Sequence, residues 1–180
     1  MTTIAYLGTG LLGAAFAEAA AKRGDTVTVW NRSPAAAEAM AAEYPGMRVA
    51  ADLEAAVGAA DVIVTATMAS EPVIRGAWLQ PGQHLDLIGA YRPDMREVDD
   101  EAMARARVFV DSFDTTIAHI GELISPLKSG ALKREEIVAD FYDLDRFERL
   151  SDDEITIAKN GGGAHLDLMT SRYVLEAWRA

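Results

Sequence analysis

Three glycines spaced Gly8-x-Gly10-x-x-Gly13 follow a short apolar run, Thr3–Leu7, and open an Ala-rich helical stretch, Leu11–Arg23, that ends at Gly24. No other feature constrains the chain as strongly, because strand, turn and helix arrive in the order that a phosphate cradle requires. Gly8 permits a tight turn, Gly10 lets the backbone approach a pyrophosphate, and Gly13 lets helix and strand pack closely. The helix N-terminus then offers amide donors and the positive end of its dipole. The spacing predicts a dinucleotide-binding unit with Gly8, Thr9, Gly10, Leu11, Leu12 and Gly13 at the phosphates. The alternative is a glycine turn that binds nothing.

The same rhythm continues through about residue 110. Strands are predicted at Thr26–Trp30, Arg48–Ala51, Asp61–Ala66, His84–Ile88 and Val108–Asp111. Between them lie helical stretches: one opened by Ser33-Pro34, one capped by Asp52, and one over Val98–Ala106. Such alternation reads as an α/β, Rossmann-type, doubly wound and mostly parallel sheet. Farther on, Thr115–Leu127 reads as a loop or short helix, and Arg134–Leu150 resists assignment. Ile155–Ala158 is a candidate last strand, Asn160–Gly163 a hinge, and Ala164–Trp178 a terminal helix. The expected organisation is a nucleotide-binding domain over residues 1–160 and a helix over 161–180 that packs or oligomerises.

Charge and composition narrow the partners. Acidic residues outnumber basic ones 28 to 17, a formal charge of -11, which argues against a nucleic-acid partner. An anionic cofactor remains compatible where donors are placed locally. The absence of cysteine excludes disulfides, thiolate nucleophiles and Cys-rich zinc sites, and the three histidines lack metal-ligand spacing, so no metal is expected. No apolar run approaches a membrane span and the N-terminus lacks a basic leader, so a cytoplasmic protein is expected.

The second predicted strand ends at Trp30-Asn31-Arg32-Ser33. A site for NAD usually places a carboxylate there to hold the ribose hydroxyls. Here a neutral Asn31 precedes a cation and a hydroxyl, a set suited to a 2′-phosphate. NADP(H) is therefore expected over NAD(H), with Asn31, Arg32 and Ser33 as ligands. The plainer alternative has Asn31 capping a turn and Arg32 in solvent. At the other strand ends Thr67, Met68 and Gly89 are candidates for the nicotinamide side. Tyr91, Arg92 and Asp94 form the best polar cluster for catalysis, although Asp94 and Arg96 suit helix caps or a surface ion pair equally well. Lys159 and Asn160 stand, by position, near a bound cofactor.

Two stretches carry family resemblances. IAYLGTGLLGAAFAEAAAKRG and VTVWNRS, within residues 1 to about 60, resemble the NADP-binding start of the beta-hydroxyacid dehydrogenase and imine reductase families. DVIVTATMASEPVIRGAWLQPGQHLDLIGAYRPDMREVDDE, ARVFVDS and SDDEITIAKNGGGAHLDLMTSRYVLEAW, from about residue 61 onward, resemble the ornithine cyclodeaminase/mu-crystallin family. The second resemblance implies hydride transfer between a nicotinamide and a carbon bonded to nitrogen, with a small imine or amino acid as substrate. It also implies an N-terminal substrate domain, for which these stretches leave no room, so a chain without that domain is expected. It further implies a catalytic Asp where Tyr91 stands, a departure that points away from cyclodeamination.

Three readings follow: an NADP-dependent oxidoreductase acting at C–N bonds, a catalytically incomplete NADP(H)-binding module, and a truncated, hybrid or engineered scaffold. In each, a homo-oligomer is expected, because Leu166, Met169, Tyr173 and Ala177 share one face of the last helix. The alternative for that face is burial against the chain's own sheet.

Overall fold

The computed structural model describes residues 1–179. Its framework is one sheet of seven described strands: β1 (Thr3–Leu7), β2 (Thr26–Trp30), β3 (Arg48–Val49), β4 (Val62–Thr65), β5 (His84–Leu87), β6 (Arg107–Val110) and β7 (Thr156–Lys159). Their order across the sheet is β3-β2-β1-β4-β5-β7-β6, and every pairing is parallel. The helices are α1 (Leu11–Arg23), α2 (Pro34–Glu43), α3 (Leu53–Gly58), α4 (Asp100–Arg105), α5 (Phe113–Thr116), α6 (Gly121–Ser129) and α7 (Ala164–Arg179). The alternation of elements predicts this α/β architecture.

Period-two alternation sends each strand's side chains to two separate cores. Along β1, Ile4 and Tyr6 join Ala17, Val27, Val29 and Met40 on the face covered by α1 and α2. Ala5 and Leu7 join Ile63, Leu85, Met103 and Leu123 on the opposite face, beneath α3, α4 and α6. Burial on both faces explains why β4 reads as a continuous apolar run, Val-Ile-Val-Thr.

Several elements depart from the sequence reading. The strand expected over Arg48–Ala51 pairs only at Arg48 and Val49, because this exposed edge has a single neighbour. The helix expected over Val98–Ala106 starts two residues late. Val98 is buried and bridges to Ile74, and the Asp99 side chain accepts the Ala102 N–H to cap α4. Thr115–Leu127 is divided between α5 and α6. The segment 134–150 has no helical or strand period because isolated contacts order it: Ile137 bridges to Val108, and Phe147 packs on Phe109 with ring centroids 4.6 Å apart.

α7 forms where the sequence places it, yet none of its residues is buried. Met169, Tyr173, Val174 and Trp178 are all exposed, Trp178 to 86%. The alternative in which this helix folds back on its own sheet is therefore overturned. Among the described residues no helix is long and apolar enough to cross a membrane.

Candidate functional site

Strand order reverses between β1 and β4, where neighbouring connections run to opposite sides and leave a crevice beyond the carboxyl ends. Three loops meet there. The Gly8 N–H donates to the Trp30 carbonyl at 3.0 Å, and the Ala66 N–H donates to the Leu7 carbonyl at 2.8 Å. Between the loops lies a cleft of about 240 Å³, lined by Gly8–Gly10, Trp30–Arg32, Ala66–Ala69 and Val73.

The glycines differ in what they do. Gly8 has φ of +102°, and a Cβ there would lie 2.5 Å from the Ala66 carbonyl oxygen. A Cβ on Gly13 would strike the Gly8 carbonyl, so the helix can approach the turn only with glycine at that position. Gly10 is the opposite case. Nothing in the protein lies within 4 Å of its missing Cβ, which faces open space. Gly10 is also the N-cap of α1; it offers no capping side chain, and the first turn carries no carboxylate. The first amides of α1 are thus left for a ligand, and nothing nearby repels an anion.

At the β2 exit, Asn31 pins the loop from both ends of its amide. Its Nδ2 donates a short hydrogen bond to the Thr9 hydroxyl, and its Oδ1 accepts the Ser33 N–H at 3.0 Å. Ser33 sits at the N-cap of α2, but its hydroxyl makes no capping bond. Arg32 is exposed and has no carboxylate partner among the described residues.

The other predicted residues are divided between the cleft and its surroundings. Leu11 and Leu12, 88% and 53% exposed, begin α1 beside the cleft without lining it. Thr67 and Met68 line its β4 wall, whereas Gly89 lies behind that wall at the β5 exit. Tyr91, Arg92 and Asp94 do come together, but on the surface. The Arg92 guanidinium lies 5.7 Å from the half-exposed Tyr91 ring and pairs with Asp94 at 3.1 Å. Arg96 instead pairs with Asp100 on α4. Lys159 does not line the cleft. Its ammonium is buried and donates to the carbonyls of Leu87 and Asn160, both at 2.9 Å.

Lys159 belongs to a buried polar layer that the sequence reading missed. Burial lowers its pKa, while Glu97, Glu122, Asp111 and Asp86 pull the other way. Burial also pushes Asp86 up to about 6 and Glu122 up to about 7. Glu97 accepts hydrogen bonds from the exits of both β4 and β5. Beyond β6, Asp111 Oδ1 accepts from Ser112 N–H and the Thr116 hydroxyl. Its Oδ2 lies 3.7 Å from Nε2 of His165, and both atoms are buried without a hydrogen-bond partner. His84, by contrast, is engaged far from the cleft through Nδ1 and the Thr156 hydroxyl, 2.7 Å apart.

The chain is similar to known proteins in sequence and in fold. A Delta(1)-pyrroline-2-carboxylate reductase of Paracoccus denitrificans (strain Pd 1222) is 52% identical over 157 residues, covering 83% of this chain and 50% of its own length. The ketimine reductase mu-crystallin of Mus musculus is 37% identical over 154 residues, covering 84% and 47% respectively. Among solved structures, Thermococcus litoralis Delta(1)-pyrroline-2-carboxylate reductase, in complex with NADH and L-proline, superposes with a TM-score of 0.88 at 25% identity, covering 95% of this chain and 56% of that one. The chain spans about half the length of the curated relatives it matches. The family model of ornithine cyclodeaminase/mu-crystallin proteins matches residues 1–180, so it takes in the glycine turn and the β2 exit as well as the later stretches that resemble it. With a family match of that extent and a relative of that identity, the chain belongs to the ornithine cyclodeaminase/mu-crystallin family.

Proposed function

We propose that this chain is the NADP(H)-binding part of an oxidoreductase that reduces imines or ketimines, or dehydrogenates the corresponding amino acids. The observation that carries the reading is the cleft at the β1/β4 reversal, with an uncapped helix end on one side and an unpaired Arg32 on the other. The open space at Gly10 and the donor set around it fit a pyrophosphate. Arg32 fits a 2′-phosphate, and no carboxylate stands beside it at the β2 exit to repel one. Asn31 holds that exit to Thr9, so the phosphate turn and the ribose end keep a fixed separation. The named reductase relatives support the C–N chemistry.

In this reading the dinucleotide supplies or accepts the hydride, and the chain's own residues bind and orient it. Gly8 to Gly13 and the first turn of α1 hold the phosphates. Thr67 and Met68 form the wall beside the nicotinamide half. The homo-oligomer expected from the sequence is retained as part of the proposal, because the apolar face of α7 has no partner within the chain.

A second reading is favoured by the position of Tyr91, Arg92 and Asp94. They are exposed and outside the cleft, which suits a module that binds cofactor without turning over substrate by itself. Titration with NADPH and NADH, followed by nicotinamide fluorescence, tests the shared part of both readings. Preference for NADPH is expected, and failure to bind either nucleotide would overturn both. Steady-state assay with cyclic imine carboxylates then separates them, since turnover is expected only for the first.

A further inference from the structure

We propose that Glu97 is a positioning residue that sets the nicotinamide side of the cleft by lashing the exits of β4 and β5 together. The proposal rests on reading the cleft as a dinucleotide site. With the adenosine end at the β2 exit, the dinucleotide crosses the β1/β4 reversal and its other half lies against the exits of β4 and β5. At the strand ends the Ile88 and Gly89 N–H groups donate to the Thr65 carbonyl, at 2.8 and 3.1 Å. Beyond that point the side-chain connection between the exits passes through one carboxylate.

Glu97 is fully buried, at 0% exposure, yet forms no ion pair among the described residues. Five donors satisfy it instead. Oε1 accepts the Thr67 N–H at 2.8 Å and the Thr67 hydroxyl at 2.7 Å. Oε2 accepts the Thr65 hydroxyl at 2.8 Å, the Gly89 N–H at 2.8 Å and the Ala90 N–H at 3.2 Å. One oxygen serves the Thr67 loop, and the other ties the end of β4 to the β5 exit. The Glu97 carbonyl also accepts the N–H groups of Val73 and Ile74, at 2.8 and 3.0 Å, so the cleft residue Val73 is fastened to the same point. From α6, Glu122 accepts the N–H groups of Glu97 and Val98, at 2.8 and 3.0 Å, and holds the segment in place.

The steric fit at Gly89 agrees independently. A Cβ there would strike both the Thr67 carbonyl and Glu97 Oε1, so the two exits are in direct contact over this carboxylate. An acceptor-only group is required. An amide in its place would turn its NH2 either toward the Thr67 N–H or toward those of Gly89 and Ala90. The Gly89 N–H keeps the Thr65 carbonyl, but the Thr67 or the Ala90 N–H loses its acceptor.

The test compares the parent chain, Glu97→Gln and Thr65→Val with two probes: NADPH, and adenosine 2′,5′-bisphosphate, which carries only the adenosine end. Thr65 is buried and does not line the cleft, so its substitution reaches the ligand only through Glu97. Glu97→Gln is expected to weaken NADPH about tenfold or more while leaving the bisphosphate within about twofold, and Thr65→Val to show the same split at a few-fold. Equal losses for both probes would make Glu97 a merely structural residue and overturn the proposal, as would unchanged NADPH affinity. If Glu97→Gln does not fold, Thr65→Val decides by the same split. A parent chain that binds neither probe refutes the underlying cofactor reading, which the variants' split alone does not.

Discussion

Replacing Arg32 by Ala should separate the two nicotinamide cofactors. Arg32 stands at the β2 exit, exposed and without a carboxylate partner among the described residues, and the fold does not use its charge. The substitution should therefore leave stability within about 0.5 kcal/mol of the parent, the usual range for a surface change. A charge-assisted hydrogen bond to a phosphate contributes about 1.5–3 kcal/mol, and solvent and salt at an exposed site push the effect to the lower part of that range. A loss of about 1–2 kcal/mol is expected, which is about five- to thirtyfold in the Kd for NADPH. NADH lacks the 2′-phosphate and should be unaffected. Raising the ionic strength should shrink the difference between the parent and Arg32→Ala, because the lost contribution is screened. Fluorescence titration of both proteins with both cofactors, at low and high salt, measures these affinities, and chemical denaturation of both proteins checks the stability. If NADPH and NADH weaken equally, or neither changes, Arg32 does not read the 2′-phosphate and the argument from the β2 exit is refuted.

Other outcomes follow from the same geometry. Gly10→Val should abolish measurable NADPH binding while shifting unfolding by only about 1 kcal/mol, since its side chain enters space empty of protein; calorimetry and titration together check this. Gly8→Ala should instead destabilise the fold by about 1–3 kcal/mol in chemical denaturation, because its φ of +102° and the nearby Ala66 carbonyl both oppose a Cβ. Glu122 gives a pH signature. Its pKa is raised from 4.5 to about 7 by burial, so the native state keeps a proton that the unfolded chain releases. The associated stability, about 3 kcal/mol, is full below pH 4.5 and lost as pH rises through about 7. Denaturation from pH 4 to 8 should show that slope in the parent and a flatter one in Glu122→Gln; identical slopes would remove Glu122 as its source. Finally, sedimentation should find an oligomer that Trp178→Glu dissociates, and a monomeric parent would refute association through α7.

The residues of the candidate cleft were legible as neighbours because its parts are local. Gly8 to Gly13 and Trp30 to Ser33 each lie within a single strand exit, and periodicity places both exits on one edge of the sheet. The fold was legible for the same reason wherever crossover units are short. β7 was harder to place. It arrives after the segment 111–155, which holds α5 and α6 but no strand, and then inserts between β5 and β6 rather than at the sheet's edge. No local pattern encodes that insertion, although its Thr-Ile-Ala-Lys run does mark a strand.

That insertion also explains why the polar layer was missed. In sequence Lys159 reads by position as near a bound cofactor and Asp111 as a strand end, while Glu97 and Glu122 draw no reading, because charged residues usually lie on solvated faces. These residues are buried because β7 brings Lys159 beside Leu87 and because α6 lays Glu122 against the segment after Pro93. Within the charged run over residues 92–101, the one local hint is that Glu97 lies between Met95 and Val98, both buried. The side chains that shape the cleft's far wall are therefore set by pairing across the sheet. Substitutions at Glu97 or Glu122 should reach the cofactor through backbone they hold rather than through contact. Those at Arg32 or Gly10 should reach it directly, and the difference is measurable as a split between the nicotinamide and adenosine ends of the ligand.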